Sequence, residues 1–458
     1  MIITRFAPSP TGDPHIGNIR TALFNYLFAK HADGKFLLRI EDTDQNRHNP
    51  ESIKTIKEAL LWLDIVPENL ENPVIQSERL EKYKTAATEL IEQGHAYVCN
   101  CSKERLEQVR GKQQSQKQIP RYDNHCRELN LPYEEGCVVR MKIPQNKKIT
   151  FDDLIRGEIS VDSSTLDDQV LLKSDGFPTY HLAHAVDDHE MQTTHVFRGE
   201  EWLPSTPKHI LLFEMLGFKP PIYAHLPVIL SPTKGKLSKR DGATTILSYR
   251  KMGYLPEALI NFMALLGWNP KTDEEFFTLG NLVKRFESGN INKSPAVFDI
   301  KKLDSFSNHY LQQMSIDQIR KISADFGKNE LSDAQAHLIT RGGHPTILAA
   351  LGQIDELEKT PRIDRELLIF KKSDETKTKR GLTLALDNLE SLQDWNEKEI
   401  QSALEKSVSN AGLSNGDIFW PIRYSLCGLE KSPSPAEISA AIGKEKSLSR
   451  IKNAISLL

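Results

Sequence analysis

No stretch of this sequence approaches the roughly twenty consecutive apolar residues that a bilayer-spanning helix needs, and residues 1–5 lack the charged and apolar blocks of a signal peptide. The expected compartment is therefore the cytoplasm, with no membrane partner. Cysteine is scarce. There are five in 458 residues, and four of them (Cys99, Cys101, Cys126 and Cys137) crowd into one region, which excludes a disulfide framework. A basic excess is missing too: the formal net charge is −3, so a nucleic-acid partner would have to be held by local patches. Residues 105–121, 142–148, 234–240 and 371–380 are candidates, although such runs are more often solvated faces. There is no internal repeat, no long low-complexity tract, no P-loop lysine and no three-glycine dinucleotide fingerprint.

What is present exceeds a single core, so several domains are expected. Ile2, Ile3 and Phe6 read as a strand; three prolines and two glycines then hold a loop until Ile16, Ile19, Leu23 and Leu27 recur at helical spacing, with a stop near Gly34. A buried strand at residues 36–40 follows, then alternating helices and short strands to residue 94, the pattern of a parallel sheet. The texture changes near residue 96, with the cysteine cluster, a Gln/Lys-rich helix and short alternating runs, and the βα pattern returns near Tyr180. Beyond about Lys302 the pattern is helical almost throughout, and Ser434-Pro435-Ala436-Glu437 is a capping-box start. The expected fold is α/β: a Rossmann-like parallel-sheet domain at residues 1–95 and 181–235, an inserted α+β domain at 96–180, a connecting region at 236–310 and an all-α domain at 311–458.

The first loop carries the strongest signal. A Pro/Gly loop before a helix is usually only a connection. Yet Pro8-Ser9-Pro10-Thr11-Gly12-Asp13-Pro14-His15-Ile16-Gly17 is a restrictive string that sets His15 and the helix's first amide groups where the positive helix end favours an anion. Downstream, Lys236-Leu237-Ser238-Lys239-Arg240 is a lysine loop able to close over a nucleotide. The first string resembles the His-Ile-Gly-His signature of class I aminoacyl-tRNA synthetases, in the Phe-Ala-Pro-Ser-Pro-Thr-Gly form found in glutamyl-tRNA synthetases, with Asn18 where the second histidine would stand. The second resembles the Lys-Met-Ser-Lys-Ser signature of the same class, with Arg240 last.

The resemblance covers residues 2 to about 270, and more loosely the rest. It implies attachment of L-glutamate to the terminal adenosine of its tRNA through a glutamyl adenylate. Activating a carboxylic acid with ATP places charge on a crowded α-phosphate, so the chemistry is mostly positioning and electrostatics. The residues carried over for it are His15, Asn18, Lys236, Ser238, Lys239 and Arg240, with Mg²⁺ on the phosphates. ATP would be held by Pro8, Ser9, Thr11, Gly12, His15, Gly17, Glu201, Trp202, Val228, Ile229 and Lys239. The family implies a cytoplasmic monomer whose glutamate activation waits for bound tRNA. It also makes the insertion the acceptor-end domain and the helical third the anticodon domain.

Two guanidinium groups, Arg5 before the phosphate loop and Arg198 on a later strand end, suit a substrate with a second carboxylate and reject its amide. Without the flanking motifs, two such arginines are more often separate surface ion-pair partners. Resemblance assigns Arg5, Ala7, Ser9, Glu41, Tyr180, His184 and Arg198 to glutamate; His184 stands where the family usually carries asparagine. Cys99-x-Cys101 with Cys126 has the spacing of either a metal site or ordinary buried thiols. Some family members bind structural zinc through Cys-x-Cys and Cys-x-His, whose last slot here is Glu128. Others use Tyr-x-x-x-Cys, which Tyr122 to Cys126 fits, so the implied ligands are Cys99, Cys101, Tyr122 and Cys126, with His125, Glu128 and Cys137 as substitutes. A truncated paralogue that glutamylates a tRNA base would lack the helical third. Glutaminyl and archaeal-type enzymes would end in a β-barrel, and a non-enzymatic RNA-binding relative would be expected to lose His15, Lys239 or Arg5.

Overall fold

The chain starts as β1 (Ile3–Phe6), which pairs in parallel with β2 (Lys35–Ile40) in the register Ile3↔Lys35 to Phe6↔Leu38. Between them α1 (Ile16–His31) packs the stripe Ile16, Ile19, Leu23 and Leu27 onto the sheet, as the helical spacing predicts. The computed structural model describes residues 1–47, 49–233, 235 and 245–458. It divides into two units, Met1–Tyr249 with Ile260–Asp299, and Arg250–Leu259 with Ile300–Leu458.

In the first unit, α2 (Pro50–Trp62) leads to β3 (Val74–Ile75), which extends the parallel sheet beside β2, and α3 (Leu80–Glu92) follows. β4 (Ala96–Cys99), α4 (Lys103–Ser115), β5 (Val138–Met141) and β8 (Val170–Leu172) form the antiparallel insertion, in the order β4-β5-β8. Not everything in that stretch belongs to a separate sheet. β6 (Lys148–Asp153) and β7 (Gly157–Asp162) form a hairpin whose β6 pairs in parallel with β10 (Ile222–Leu226) at Tyr223↔Asp153. The expected insertion therefore gives two strands to the sheet completed by β9 (His195–Gly199) and β10. α5 (Tyr180–Glu190) and α6 (Thr206–Met215) cover it, and Leu182, Val186, Leu211 and Phe213 join Tyr223 in one core. Thr194, just before β9, donates to the Ile3 carbonyl at 2.9 Å and lays β9 beside β1. β11 (Ile229–Leu230) pairs with β12 (Ala296–Val297).

The second unit is helical throughout its described residues beyond Ile300. Ser315, Ser332, Ser414 and Ser434 each start a helix with a reciprocal capping box, and Gly412 and Gly428 end helices in the left-handed conformation. The expected border at residue 310 falls inside the helix Ile300–Gln313. Leu303, Phe306 and Leu311 form one buried stripe through it, and the next cap is Ser315. Leu382, Leu404, Ile418, Ile438 and Ile451 are fully buried in this unit. Arg450, also buried, donates to the carbonyls of Leu357, Leu426, Glu358 and Lys359 at 2.5–3.2 Å.

Candidate active site

Parallel strands leave their carboxyl ends open to ligands, and β1 and β9 present Arg5 and Arg198 near those ends. Arg5 Nε donates to Asp188 Oδ1 at 3.0 Å, and Arg39 on β2 donates to the same oxygen at 2.5 Å. Arg39 also forks onto Glu41 Oε1 through Nη2 at 2.8 Å and Nε at 3.3 Å. Burial alone would raise the Asp188 carboxyl, but the two guanidiniums hold it well below the usual range. Burial wins at Glu41, whose carboxyl is raised. This half of the site is a four-member ion-pair cluster.

Arg198 is held differently. Its Nε donates to His225 Nε2 at 3.0 Å, Nη1 to the Tyr180 hydroxyl at 3.2 Å, and Nη2 to Thr206 Oγ1 at 2.8 Å and His209 Nδ1 at 3.2 Å. Its guanidinium carbon sits 4.7 Å from the Tyr223 ring centre, a cation–π contact. His225 Nδ1 lies 2.6 Å from Asp153 Oδ2, and His209 Nε2 lies 2.9 Å from His181 Nδ1. Burial pushes His181 down to about 4 and His184 to about 3, and lowers His209 and His225, so these rings are neutral. The Tyr180 ring lies 4.1 Å from the Trp202 ring at a tilt of 35°, and burial raises its hydroxyl. His184 is fully buried. Its Nε2 lies 3.1 Å from the Tyr223 hydroxyl, and its Nδ1 lies 2.9 Å from Asp188 Oδ2 without hydrogen-bond alignment.

The phosphate loop meets the same end of the sheet, because the Glu41 amide donates to the Pro8 carbonyl at 3.0 Å. His15 is the N-cap of α1: its Nδ1 accepts from the Gly17 and Asn18 amides at 3.0 and 3.4 Å. That fixes the neutral tautomer, with the proton on Nε2 as a donor. Gly17 permits this, since a Cβ there would lie 2.9 Å from the His15 ring. Asn18 Oδ1 accepts the His15 amide at 3.3 Å and completes the capping box. Ser9, Thr11 and Gly12 are exposed, Ala7 and Gly17 half-buried and Pro8 buried. Val228 donates its amide to Glu200 at 2.8 Å, and Ile229 is buried on β11. Glu201 is exposed, with its carboxylate folded back over Gly199. Lys236, Ser238, Lys239 and Arg240 lie outside the described residues. The chain returns from them at Thr245, which pairs with His15, and Ile246 donates to the Pro14 carbonyl at 2.9 Å.

Residues 1–305 match the family described as tRNA synthetases class I (E and Q), catalytic domain, and residues 316–455 match an anticodon binding domain. The chain belongs to the class I tRNA synthetases of the E and Q type. It is similar to the glutamate–tRNA ligase of Dehalococcoides mccartyi strain 195, 42% identical with 99% of this chain and 98% of that one covered. A similar match is the glutamate–tRNA ligase of Alkaliphilus metalliredigens, 40% identical over 98% and 97%. Among solved structures it is similar to a glutamate–tRNA ligase from Elizabethkingia meningosepticum crystallised in complex with its amino acid, with a TM-score of 0.89, 36% identity and 99% of each chain covered.

In this synthetase the thiols of Cys99, Cys101 and Cys126 lie within 4.8 Å of one another. The Tyr122 hydroxyl is 3.4 Å from Cys99 Sγ and 3.6 Å from Cys101 Sγ, and it accepts the Cys126 amide at 2.9 Å. Three thiols and a phenol at one point are a donor set and spacing that fit tetrahedral zinc. Of the substitutes, His125 is exposed, Glu128 turns to Lys142 at 3.0 Å, and Cys137 stands outside the three-thiol group. Motif reading missed Arg39, Asp188, Asp153, Thr206, His209 and His225. The partners that explain Asp188 and Asp153 are distant in sequence, 183 positions for Arg5 and Asp188 and 72 for Asp153 and His225, while Arg39 with Glu41 and Thr206 and His209 with Arg198 are nearer but carry no motif.

Proposed function

We propose that the chain attaches L-glutamate to the 3′-terminal adenosine of its tRNA, using ATP and passing through a glutamyl adenylate. The observation that carries this reading is the pair of buried arginines on β1 and β9, linked by the Thr194–Ile3 hydrogen bond, with His15 capping the helix that follows β1. Arg198 and Arg5 receive the substrate's side-chain carboxylate, while Glu41, with Oε1 engaged by Arg39, faces its ammonium group. Ala7, Ser9 and Tyr180 line the same pocket, and His184 supports it from beneath Tyr180, their rings stacked at 5.3 Å. ATP lies along residues 8–17 with its base toward Trp202, Val228 and Ile229, and Mg²⁺ accompanies the phosphates. His15 Nε2 and the α1 amides donate to the α-phosphate as negative charge builds there. Lys236 and Lys239 would stabilise the charge of the leaving pyrophosphate. The tRNA hydroxyl then attacks the mixed anhydride and releases AMP. Cys99, Cys101, Cys126 and Tyr122 would hold a structural zinc that cross-links β4 to the Tyr122 loop of the acceptor-end domain. Residues 316–455 read the anticodon, and the enzyme works as a monomer.

The test is charging of purified tRNA with labelled glutamate and with glutamine, together with ATP–pyrophosphate exchange. Glutamate should be attached, glutamine rejected, and exchange should require tRNA. Lys239→Ala should slow exchange by roughly 10²–10³, the usual cost of one preorganised donor. Charging with glutamine but not glutamate would overturn the assignment.

A further inference from the structure

Arg5 and Arg198 are both buried, yet only Arg5 is ion-paired among the described residues. Asp188 sits on Arg5 at 3.0 Å, whereas the contacts of Arg198 are all neutral acceptors: two imidazoles, two hydroxyl groups and a ring face. Each imidazole is set to be an acceptor by what lies behind it. Asp153 Oδ2 takes the His225 Nδ1 proton at 2.6 Å, which leaves the Nε2 lone pair for Arg198. Asp153 is itself locked by the amides of Ile155 and Arg156 at 2.9 and 2.8 Å. His209 Nδ1 faces Arg198, so its proton is on Nε2 and points to His181 Nδ1 at 2.9 Å. A carboxylate at either place would hold the guanidinium equally well and cancel its charge.

From this geometry we infer that His209 and His225 are specificity-determining positioning residues. They fix Arg198 through neutral acceptors so that its positive charge stays uncompensated until an acidic side chain binds. The substrate carboxylate is the counter-ion the pocket lacks, and the matching amide, which brings no charge, leaves a buried cation unpaired. The inference rests on the reading that Arg198 receives the substrate's side-chain carboxylate.

The experiment compares the isosteric pair H209N and H209D in the full-length enzyme with its tRNA, measuring KM for glutamate, KM for ATP, kcat and inhibition by free glutamine. Both side chains place an oxygen where His209 Nδ1 stands, and they differ in charge. H209N should stay within about threefold of the parent. H209D should raise KM for glutamate at least tenfold, leave KM for ATP within twofold, and strengthen inhibition by glutamine relative to glutamate. Equal effects of H209N and H209D, or no effect of H209D, would overturn the inference. If H209D fails to fold by circular dichroism, H225Q and H225N take its place. Glutamine at 225 keeps an acceptor toward Arg198 and should retain glutamate affinity, while asparagine keeps only the donor toward Asp153 and should lose at least tenfold; the reverse order overturns the inference. R198M tests the underlying reading separately, since unchanged glutamate KM in that variant removes the carboxylate receptor itself.

Discussion

The two halves of the pocket solve one problem, burying an arginine, in opposite ways. On β1 and β2, Arg5 and Arg39 are neutralised by Asp188, fully buried, and Glu41, largely buried, in a closed cluster. On β9 and β10, Arg198 is caged by histidines, tyrosine and threonine. A compensated cation contributes shape and order, whereas an uncompensated one is held ready for a ligand. Damage to the first half should therefore show in stability as well as in binding, and damage to the second chiefly in binding.

The largest effect should come from D188N, which leaves two buried guanidiniums facing a neutral amide. Breaking such a cluster costs roughly 3–5 kcal/mol, to be read as a lowered denaturation midpoint. A midpoint within about 1 kcal/mol of the parent would erase the distinction between the halves. R198M comes next. It should raise KM for glutamate about 10- to 10²-fold, from the roughly 1.5–3 kcal/mol that a charge-assisted contact contributes, while moving the midpoint less than D188N does. The smallest effect is graded with pH. His181 and His184 titrate in the fold at about 4 and about 3, whereas the unfolded chain takes up those protons from about pH 6.5. Between those values the unfolded state binds more protons, so stability falls as the solution is acidified, by about 1 kcal/mol per histidine per pH unit. Asp188, held well below the ordinary range, keeps its contribution above about pH 4 to 5 and loses it progressively below the unfolded carboxylate value. Calorimetry from pH 7 to pH 5 should show this slope, and H181Q should flatten it.

The helix-and-strand frame was legible because its signals are local. The α1 stripe follows from spacing of three and four, and the Ser434 cap from residues three apart. The phosphate loop was legible for the same reason. The cage around Arg198 was not, because Asp153, Thr206, His209 and His225 come from β6, α6 and β10 and meet only through sheet topology. Neither did local pattern reveal that β6, inside the expected insertion, would pair with β10, since its one-sided alternation fits a strand of either sheet. The expected 310 border lies inside a helix, because the connecting region was placed by texture alone and a helix-internal position carries no breaker.

Arg450 makes closure of the helical unit depend on one side chain. It donates to carbonyls at the ends of the helices Ile347–Glu358 and Asn415–Cys427, where the intrahelical donors have run out. Donor and acceptor are up to 93 residues apart, so these carbonyls gain Arg450 only when the helix Lys444–Leu457 docks. Without that guanidinium four carbonyls lose their shared donor, and R450M should leave the helical unit more open to proteases.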